Sequence, residues 1–216
     1  MELKKNLTVK DIEEIFGQRK PGAEAGFRFF SVLVPVVRKE DKLMLLYEVR
    51  AKHMERQPGE VCFPGGELEA DESTEECALR ETWEEVGISA DKIRIINQLD
   101  TIYTYSNFAM YCYLGIMDYD VLDNVELNPD EVDEIFTVDI DKMLETEAEV
   151  YKVETVPKVP EDFPYEKVTG GKSYRWRGGW ANVPVYDIDG RIIWGLTARI
   201  TKGFLDTVKE RIEYDV

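Results

Sequence analysis

The stretch from Gly66 to Ile88 constrains this chain more than any other, because it reads as a glycine turn followed by a helix carrying carboxylates at Glu81, Glu84 and Glu85. At about 100° per residue, positions i, i+3 and i+4 are neighbours on a helix, so the three charges share one side. Like charges so placed repel, and the arrangement makes best sense around a cation. All-oxygen donors suit a hard divalent ion, Mg²⁺ or Mn²⁺. Ser73 followed by Glu76 is the capping-box pattern, and Gly87 supplies the stop. Leu79, Trp83 and Val86 recur at i, i+4 and i+7, which predicts an apolar stripe against a sheet with the acidic side left open. Arg80 reaches Glu84 at i+4, and its rigid donor fork can steer a carboxylate as well as offset charge. The competing reading is an ordinary solvated acidic helix.

The stretch resembles the Nudix box, G-x5-E-x7-R-E-U-x-E-E-x-G-U with U a bulky aliphatic. Gly66, Glu72, Arg80, Glu81, Glu84, Glu85, Gly87 and Ile88 fall on its fixed positions with the spacing intact. Thr82 departs from it, standing where the family prefers an aliphatic. The resemblance implies an α/β Nudix fold, an α/β/α sandwich with a mixed β-sheet. It further implies a metal-dependent pyrophosphohydrolase in which Glu84 and Glu85 are principal ligands of Mg²⁺ or Mn²⁺. Glu81 would bind metal or take the proton from the attacking water, and Glu72 and Arg80 would hold the cluster in shape.

At 216 residues and 44% hydrophobic content, the chain can bury a core without disulfides. We expect a single domain over 1–216, with an N-terminal helix and linker at 1–26 and a C-terminal loop, hairpin and helix at 157–216. The formal charge of −17 argues against nucleic acid or an anionic membrane as partner. A nucleotide-diphosphate small molecule remains open, provided a metal mediates the contact. Cys62, Cys77 and Cys112 are odd in number and lack metal-like spacing, the opening residues show no apolar targeting core, and no run approaches the roughly 18 apolar residues of a membrane span. These features predict a cytoplasmic protein. His53 is the only histidine, which argues against Ser-His or Cys-His catalysis.

Along the chain, Thr8 to Phe16 predicts a short capped helix with Ile12, Ile15 and Phe16 turned inward. Phe27 to Val37 predicts a buried strand, with Pro35 pointing to an edge or bulge, and Leu43 to Val49 its hairpin partner. Lys92 to Tyr105 and Phe108 to Tyr119 predict two paired strands bearing a group of aromatics. In the polar loop before a strand ending at Val138, Glu131 and Glu134 are candidates for a further acidic group, with Glu131 ahead; the resemblance implies a metal ligand or the base there. Asp141 to Thr146 predicts a helix and Val150 to Val156 a strand. Asp189-Gly190 between apolar runs predicts a hairpin turn, with a helix following to Val208.

The approach to the box, Arg50 to Gly66, ends in Phe63-Pro64-Gly65-Gly66, a turn where backbone can come close to a ligand and a carbonyl such as that of Gly65 can join a cation's oxygen shell. This region is similar to the signature that precedes the box in coenzyme A pyrophosphatases, L-L-T-x-R-(S/A)-x3-R-x3-G-x3-F-P-G-G. Leu46, Arg50, Ala51, Gly59, Phe63, Pro64, Gly65 and Gly66 match it. Glu48 replaces the threonine, and Glu55 stands where the second arginine is expected, with Arg56 adjacent. The segment from Ile193 to Ala198 is similar to the C-terminal region of the same subfamily.

Coenzyme A or acyl-coenzyme A is therefore the implied substrate, cleaved to phosphopantetheine and adenosine 3',5'-bisphosphate, with Arg50, Arg56, Phe63 and Gly66 as substrate-binding candidates. ADP-ribose or another nucleotide sugar is the alternative, and a non-catalytic nucleotide sensor on the same fold is a third. An exposed aromatic and basic loop at Tyr174 to Trp180 is a candidate lid over a nucleotide or a homodimer contact.

Overall fold

The computed structural model describes residues 7–214; residues 1–6 and 215–216, the two ends of the expected domain, lie outside the described residues. The first helix, α1 (Val9–Phe16), has the expected start, with Thr8 and Asp11 forming a reciprocal capping box. Its apolar residues do not turn inward. Ile12, Ile15 and Phe16 are exposed, and no residue of α1 is buried. The cap fixes where the helix begins; it does not supply a surface to bury against.

The main sheet is built from β1 (Arg28–Lys39), β2 (Lys42–Arg50), β3 (Val61–Cys62), β4 (Gly65–Glu67) and then, after α2 (Thr74–Val86), β5 (Arg94–Gln98), β6 (Ile102–Tyr103), β7 (Phe108–Asp118) and β8 (Val132–Asp139). Its path runs β3-β2-β1-β7-β5. β1 and β7 are parallel, and every other pairing is antiparallel, so the sheet is mixed.

Pro35 sits in the middle of the central strand, not at an edge. The antiparallel side of β1 is shared: β4 pairs with Phe30 to Val32 and β2 with Val36 to Lys39. Proline has no N–H to donate, and it falls in the gap between the two partners.

After β8 come α3 (Ile140–Glu145), the outer strands β9 (Glu149–Thr155), β10 (Gly179–Ile188) and β11 (Arg191–Trp194), and the long α4 (Gly195–Tyr214). The three outer strands form a second antiparallel sheet in the order β11-β10-β9. The β10–β11 turn has Asp189 and Gly190 both at positive φ, 53° and 82°, as a tight two-residue hairpin requires.

Two cores cover the faces of the main sheet. On one face Tyr47, Val49 and Phe63 pack with Ile140, Met143, Ile193, Ala198, Ile200 and Leu205, which brings α3, β11 and α4 onto the sheet. On the other, Leu33, Val37 and Leu46 pack with Ala78, Val86 and Ile88 of α2 and its exit. Helices thus flank a mixed sheet, the α/β/α arrangement expected. Side chains alternate along a strand, so Leu46, Glu48 and Arg50 share the α2 face of β2 while Tyr47 and Val49 face α4. A hydrogen bond of 3.0 Å from Thr197 Oγ1 to the Val61 carbonyl ties the start of α4 to β3, immediately before the glycine turn.

Candidate active site

Helix α2 starts at the reciprocal Ser73–Glu76 capping box and ends at Gly87, whose φ of 71° is the left-handed conformation that closes a helix. Of the predicted apolar stripe, Val86 is buried and Leu79 packs against the α2-side core, but Trp83 does neither. Trp83 is 58% exposed, and the buried positions are Cys77, Ala78, Thr82, Glu85 and Val86. Thr82 fits this face because its hydroxyl donates to the Ala78 carbonyl at 2.7 Å, so no polar atom is stranded. The expectation of an acidic side left open is corrected for Glu85, which lies on the packed face at 4% exposure.

Arg80 organises the outer part of the cluster. Nε and Nη2 donate to the two oxygens of Glu72 at 3.0 and 2.9 Å, and Nη1 donates to Glu81 at 2.7 Å and to Glu84 at 2.9 Å. The paired donation from Arg80 holds the Glu72 carboxyl down at about 2. Glu81 responds oppositely: burial raises its proton affinity, the Arg80 contact opposes this, and the charges of Glu84 and Glu131 add to the rise.

The glycine turn supplies the other wall. Gly65 N–H donates to Glu85 Oε2 at 2.8 Å. A Cβ on Gly66 would lie 2.3 Å from Cδ of Glu81, so the bare backbone of β4 is what admits that carboxylate. Burial pushes the Glu85 carboxyl well above the carboxylate range, with Glu48 the largest electrostatic contributor, followed after the opposing Gly65 bond by Glu81 and Glu131.

Glu48 is the site residue that sequence reasoning passed over, treating it only as a departure from a signature. It is 1% exposed, and its carboxyl is raised by burial first and then by the charges of Glu131 and Glu81. The signal was available in the period-2 pattern, which puts Glu48 on the face of β2 that carries α2. Arg50 lies two residues on along the same face, and its charge lowers the Glu48 carboxyl, so this expected phosphate ligand does border the acidic group.

Glu131 acts electrostatically on Glu48, Glu81 and Glu85, which places it with the cluster. Its backbone carbonyl accepts from Ala51 N–H at 2.8 Å, fixing the loop beside the end of β2. Glu134 is engaged elsewhere, accepting two bonds from Arg191 at 2.8 and 3.2 Å.

The donor set has the chemistry of a hard-cation site. Glu48, Glu81, Glu84 and Glu85 each use one oxygen in the hydrogen bonds just described or, for Glu48, in one from Cys62 Sγ, leaving a second outside them. Among the described residues no three such side chains converge on a common point. Arg80 draws Glu81 and Glu84 outward while Gly65 holds Glu85 inward. The charges nonetheless outnumber the cations, and a carboxylate oxygen of Glu48 is buried with no partner. Those two facts favour a divalent ion with oxygen ligands.

The remaining candidates separate. Phe63, expected at the substrate, is 3% exposed and stacks on Tyr47 with ring centroids 4.8 Å apart, on the α4 side of the sheet. Strand alternation sends its neighbour Cys62 to the acidic face and Phe63 to the core, which corrects that expectation. Arg56 is exposed and contributes to lowering the Glu67 carboxyl, behind Arg28. Tyr174 and Trp176 of the aromatic loop meet edge to face, and Trp176 meets Phe163 in the same way. A cleft of about 830 Å³ opens between the β6–β7 turn, β10 and α4, with Tyr103, Tyr105, Phe108, Trp180, Arg199 and Lys202 along its walls.

The family model described as NUDIX domain matches residues 28–159. Over 116 residues the chain is 39% identical to Nudix hydrolase 3 of Caenorhabditis elegans, a match covering 53% of this chain and 48% of that protein. It is 36% identical over 136 residues to the peroxisomal coenzyme A diphosphatase NUDT7 of Mus musculus, covering 62% and 56%. With a NudL Nudix hydrolase of Yersinia enterocolitica the identity is 29% over 189 residues, covering 86% and 84%. The match spans about half the length of the first two relatives.

Proposed function

The chain belongs to the NUDIX domain family, and from that premise we propose that it hydrolyses the diphosphate bond of coenzyme A or an acyl-coenzyme A, releasing phosphopantetheine and adenosine 3',5'-bisphosphate. The observation that carries this reading is the buried carboxyl of Glu85, held by Gly65 N–H at 2.8 Å and acted on by the charges of Glu48, Glu81 and Glu131. A coenzyme A diphosphatase among the relatives supports the choice of substrate.

Hydrolases of this family depend on divalent cations, and Glu81, Glu84, Glu85 and the Gly65 carbonyl would hold Mg²⁺ or Mn²⁺ here. When bound, such an ion neutralises diphosphate oxygens and makes water a stronger nucleophile at neutral pH. Arg80 positions Glu81 and Glu84 through one guanidinium nitrogen while Glu72 fixes the opposite side of the fork. Glu131, or Glu81, accepts the proton as the water oxygen bonds to phosphorus and the bridging P–O bond breaks. Arg50, beside the acidic group, meets the diphosphate. Positioning and electrostatics supply most of the acceleration in reactions of this type.

The cleft walled by Tyr103, Tyr105 and Trp180 takes the base of the substrate, and Arg199 provides positive charge on its α4 side, where Lys202 is paired with Asp206 at 2.7 Å. No helix among the described residues is long and apolar enough to cross a membrane. The unpaired Cys62, Cys77 and Cys112 suit a reducing compartment, and we place the protein in the cytosol. The exposed aromatics of the loop before β10, Tyr174 and Trp176, suit a homodimer contact.

A panel of coenzyme A, acetyl-coenzyme A, ADP-ribose and NADH, each with Mg²⁺ and with Mn²⁺, tests the reading. Release of adenosine 3',5'-bisphosphate from coenzyme A is expected at a kcat/KM at least tenfold above the rate on ADP-ribose. Preferential cleavage of ADP-ribose overturns the substrate, and binding without cleavage of any compound overturns the activity.

A further inference from the structure

We propose that Glu48, on β2 and outside the box, is an additional carboxylate ligand of the divalent-cation site, supplied from the sheet where Glu81, Glu84 and Glu85 are supplied from the helix. The proposal rests on the functional reading above and adds a residue to it.

The position of Glu48 is costly for a residue with no role. It lies mid-strand between Tyr47 and Val49, which are buried, and is itself 1% exposed. One oxygen, Oε1, accepts from Cys62 Sγ at 3.1 Å, across the β2–β3 register in which the two residues are paired. The other, Oε2, is buried with no hydrogen-bond partner. A thiol is a weak donor, so even the satisfied oxygen gains little. Taking a carboxylate out of water without full compensation is strongly unfavourable, and a well-packed apolar or hydroxyl side chain avoids that cost.

Arg50 does not explain the residue away. It shares the α2 face of β2 with Glu48, yet its Nε is also buried without a partner. The Arg50 charge acts on Glu48 without a hydrogen bond to Oε2, so one buried atom on each side chain is left without a partner, as expected if each is kept for a ligand of opposite sign. The Cys62 partner of Glu48 lies three residues before Gly65, whose N–H holds Glu85 at 2.8 Å, so the turn links Glu48 to the helix acids, and the charges of Glu81 and Glu131 act on it. A buried carboxylate oxygen with no partner, on the face of β2 that carries α2, calls for a hard cation and not for a second hydrogen-bond donor. In the signature that the approach to the box resembles, this position is threonine, so the added negative charge is a feature of this chain and should strengthen its hold on a dication.

The test titrates Mn²⁺ alone into the full-length metal-free protein by calorimetry, comparing wild type with Glu48→Gln, Glu48→Thr and Glu85→Gln, and records melting of each with and without saturating Mn²⁺. Both Glu48 variants are expected to bind Mn²⁺ at least tenfold more weakly and to lose most of the Mn²⁺-induced rise in Tm. Their metal-free Tm should equal or exceed that of wild type, because a buried charge has been removed. A purely structural role would lower the metal-free Tm and leave affinity within twofold, and that result overturns the proposal. Weakened binding in Glu85→Gln with wild-type affinity in both Glu48 variants overturns it while sparing the functional reading. Failure of the wild-type protein to bind Mn²⁺ overturns both.

Discussion

A Cβ on Gly66 would stand 2.3 Å from Cδ of Glu81 and 2.3 Å from its Oε1. The turn and the helix thus share one small volume, and only the missing side chain at 66 leaves room for the carboxylate. Gly66→Ala must displace Glu81 from the position in which Arg80 holds it, at 2.7 Å. A misplacement of about 1 Å in a reacting group costs on the order of a hundredfold in rate. Turnover of coenzyme A by Gly66→Ala should fall at least that far, with circular dichroism unchanged. A wild-type kcat would show that Glu81 does not work from this position.

Glu84 and Glu85 differ in burial although they are adjacent. The Glu84 side chain is 43% exposed and bonded to Arg80, whereas Glu85 is 4% exposed beneath the glycine turn. Replacing either by Gln should lower kcat by at least about a hundredfold, the usual scale for loss of an electrostatic group aimed at developing charge. Only Glu85→Gln should also raise the melting temperature of the metal-free protein, since it removes a charge that burial disfavours. Melting curves in chelator, set beside kcat, check both halves.

Glu72 gives a pH signature. Arg80 holds its carboxyl at about 2, below the ordinary glutamate value of 4.5. Above 4.5 the carboxylate is charged in folded and unfolded chains alike, and the folded state alone enjoys the pairing. Between 4.5 and about 2 the unfolded chain takes up the proton first, so the stabilisation fades as pH falls. Urea unfolding should find Glu72→Gln less stable than wild type by about 1 to 2 kcal/mol at pH 6, the scale of a partly screened charge-assisted pair. The gap should shrink steadily below pH 4.5. A gap that stays constant down to pH 3 would mean the loss comes from packing.

The box was legible because its spacing is a property of one helix and one turn, both local. Ser73, Glu76 and Gly87 announced the helix ends, and the structure has the caps they predict. The full extent of that helix's buried face was not legible, because Trp83 suggests a side that stays in water while the sheet takes Ala78, Thr82 and Glu85 beside Val86. The preference for Glu131 over Glu134 was drawn from sequence alone, where the pairing of Glu134 with Arg191, 57 positions away, could not be read. Pro35 misled for a similar reason, since only the full strand order reveals a gap between β4 and β2. Glu48 was readable in principle from the alternation of β2 and unreadable in practice until α2 was seen lying over that face.

The cleft beside β10 yields the last prediction. Trp180 is 67% exposed and Tyr103 is 69% exposed, so neither side chain contributes much to the core and truncation should leave the fold intact. Large aromatic faces left in water beside Arg199 suit a base with attached phosphate, while Lys202 is held by Asp206 on the same wall. Stacking of a base on an aromatic side chain is worth about 1 to 3 kcal/mol. Trp180→Ala should accordingly raise KM for coenzyme A by about tenfold or more, while kcat stays within twofold because the acids at Gly65 and Gly66 are untouched. The same variant should lose little on a minimal diphosphate that has no base, such as methyl diphosphate. If KM for coenzyme A is unchanged, or if both substrates weaken equally, the base does not lie in this cleft and Trp180 has another role.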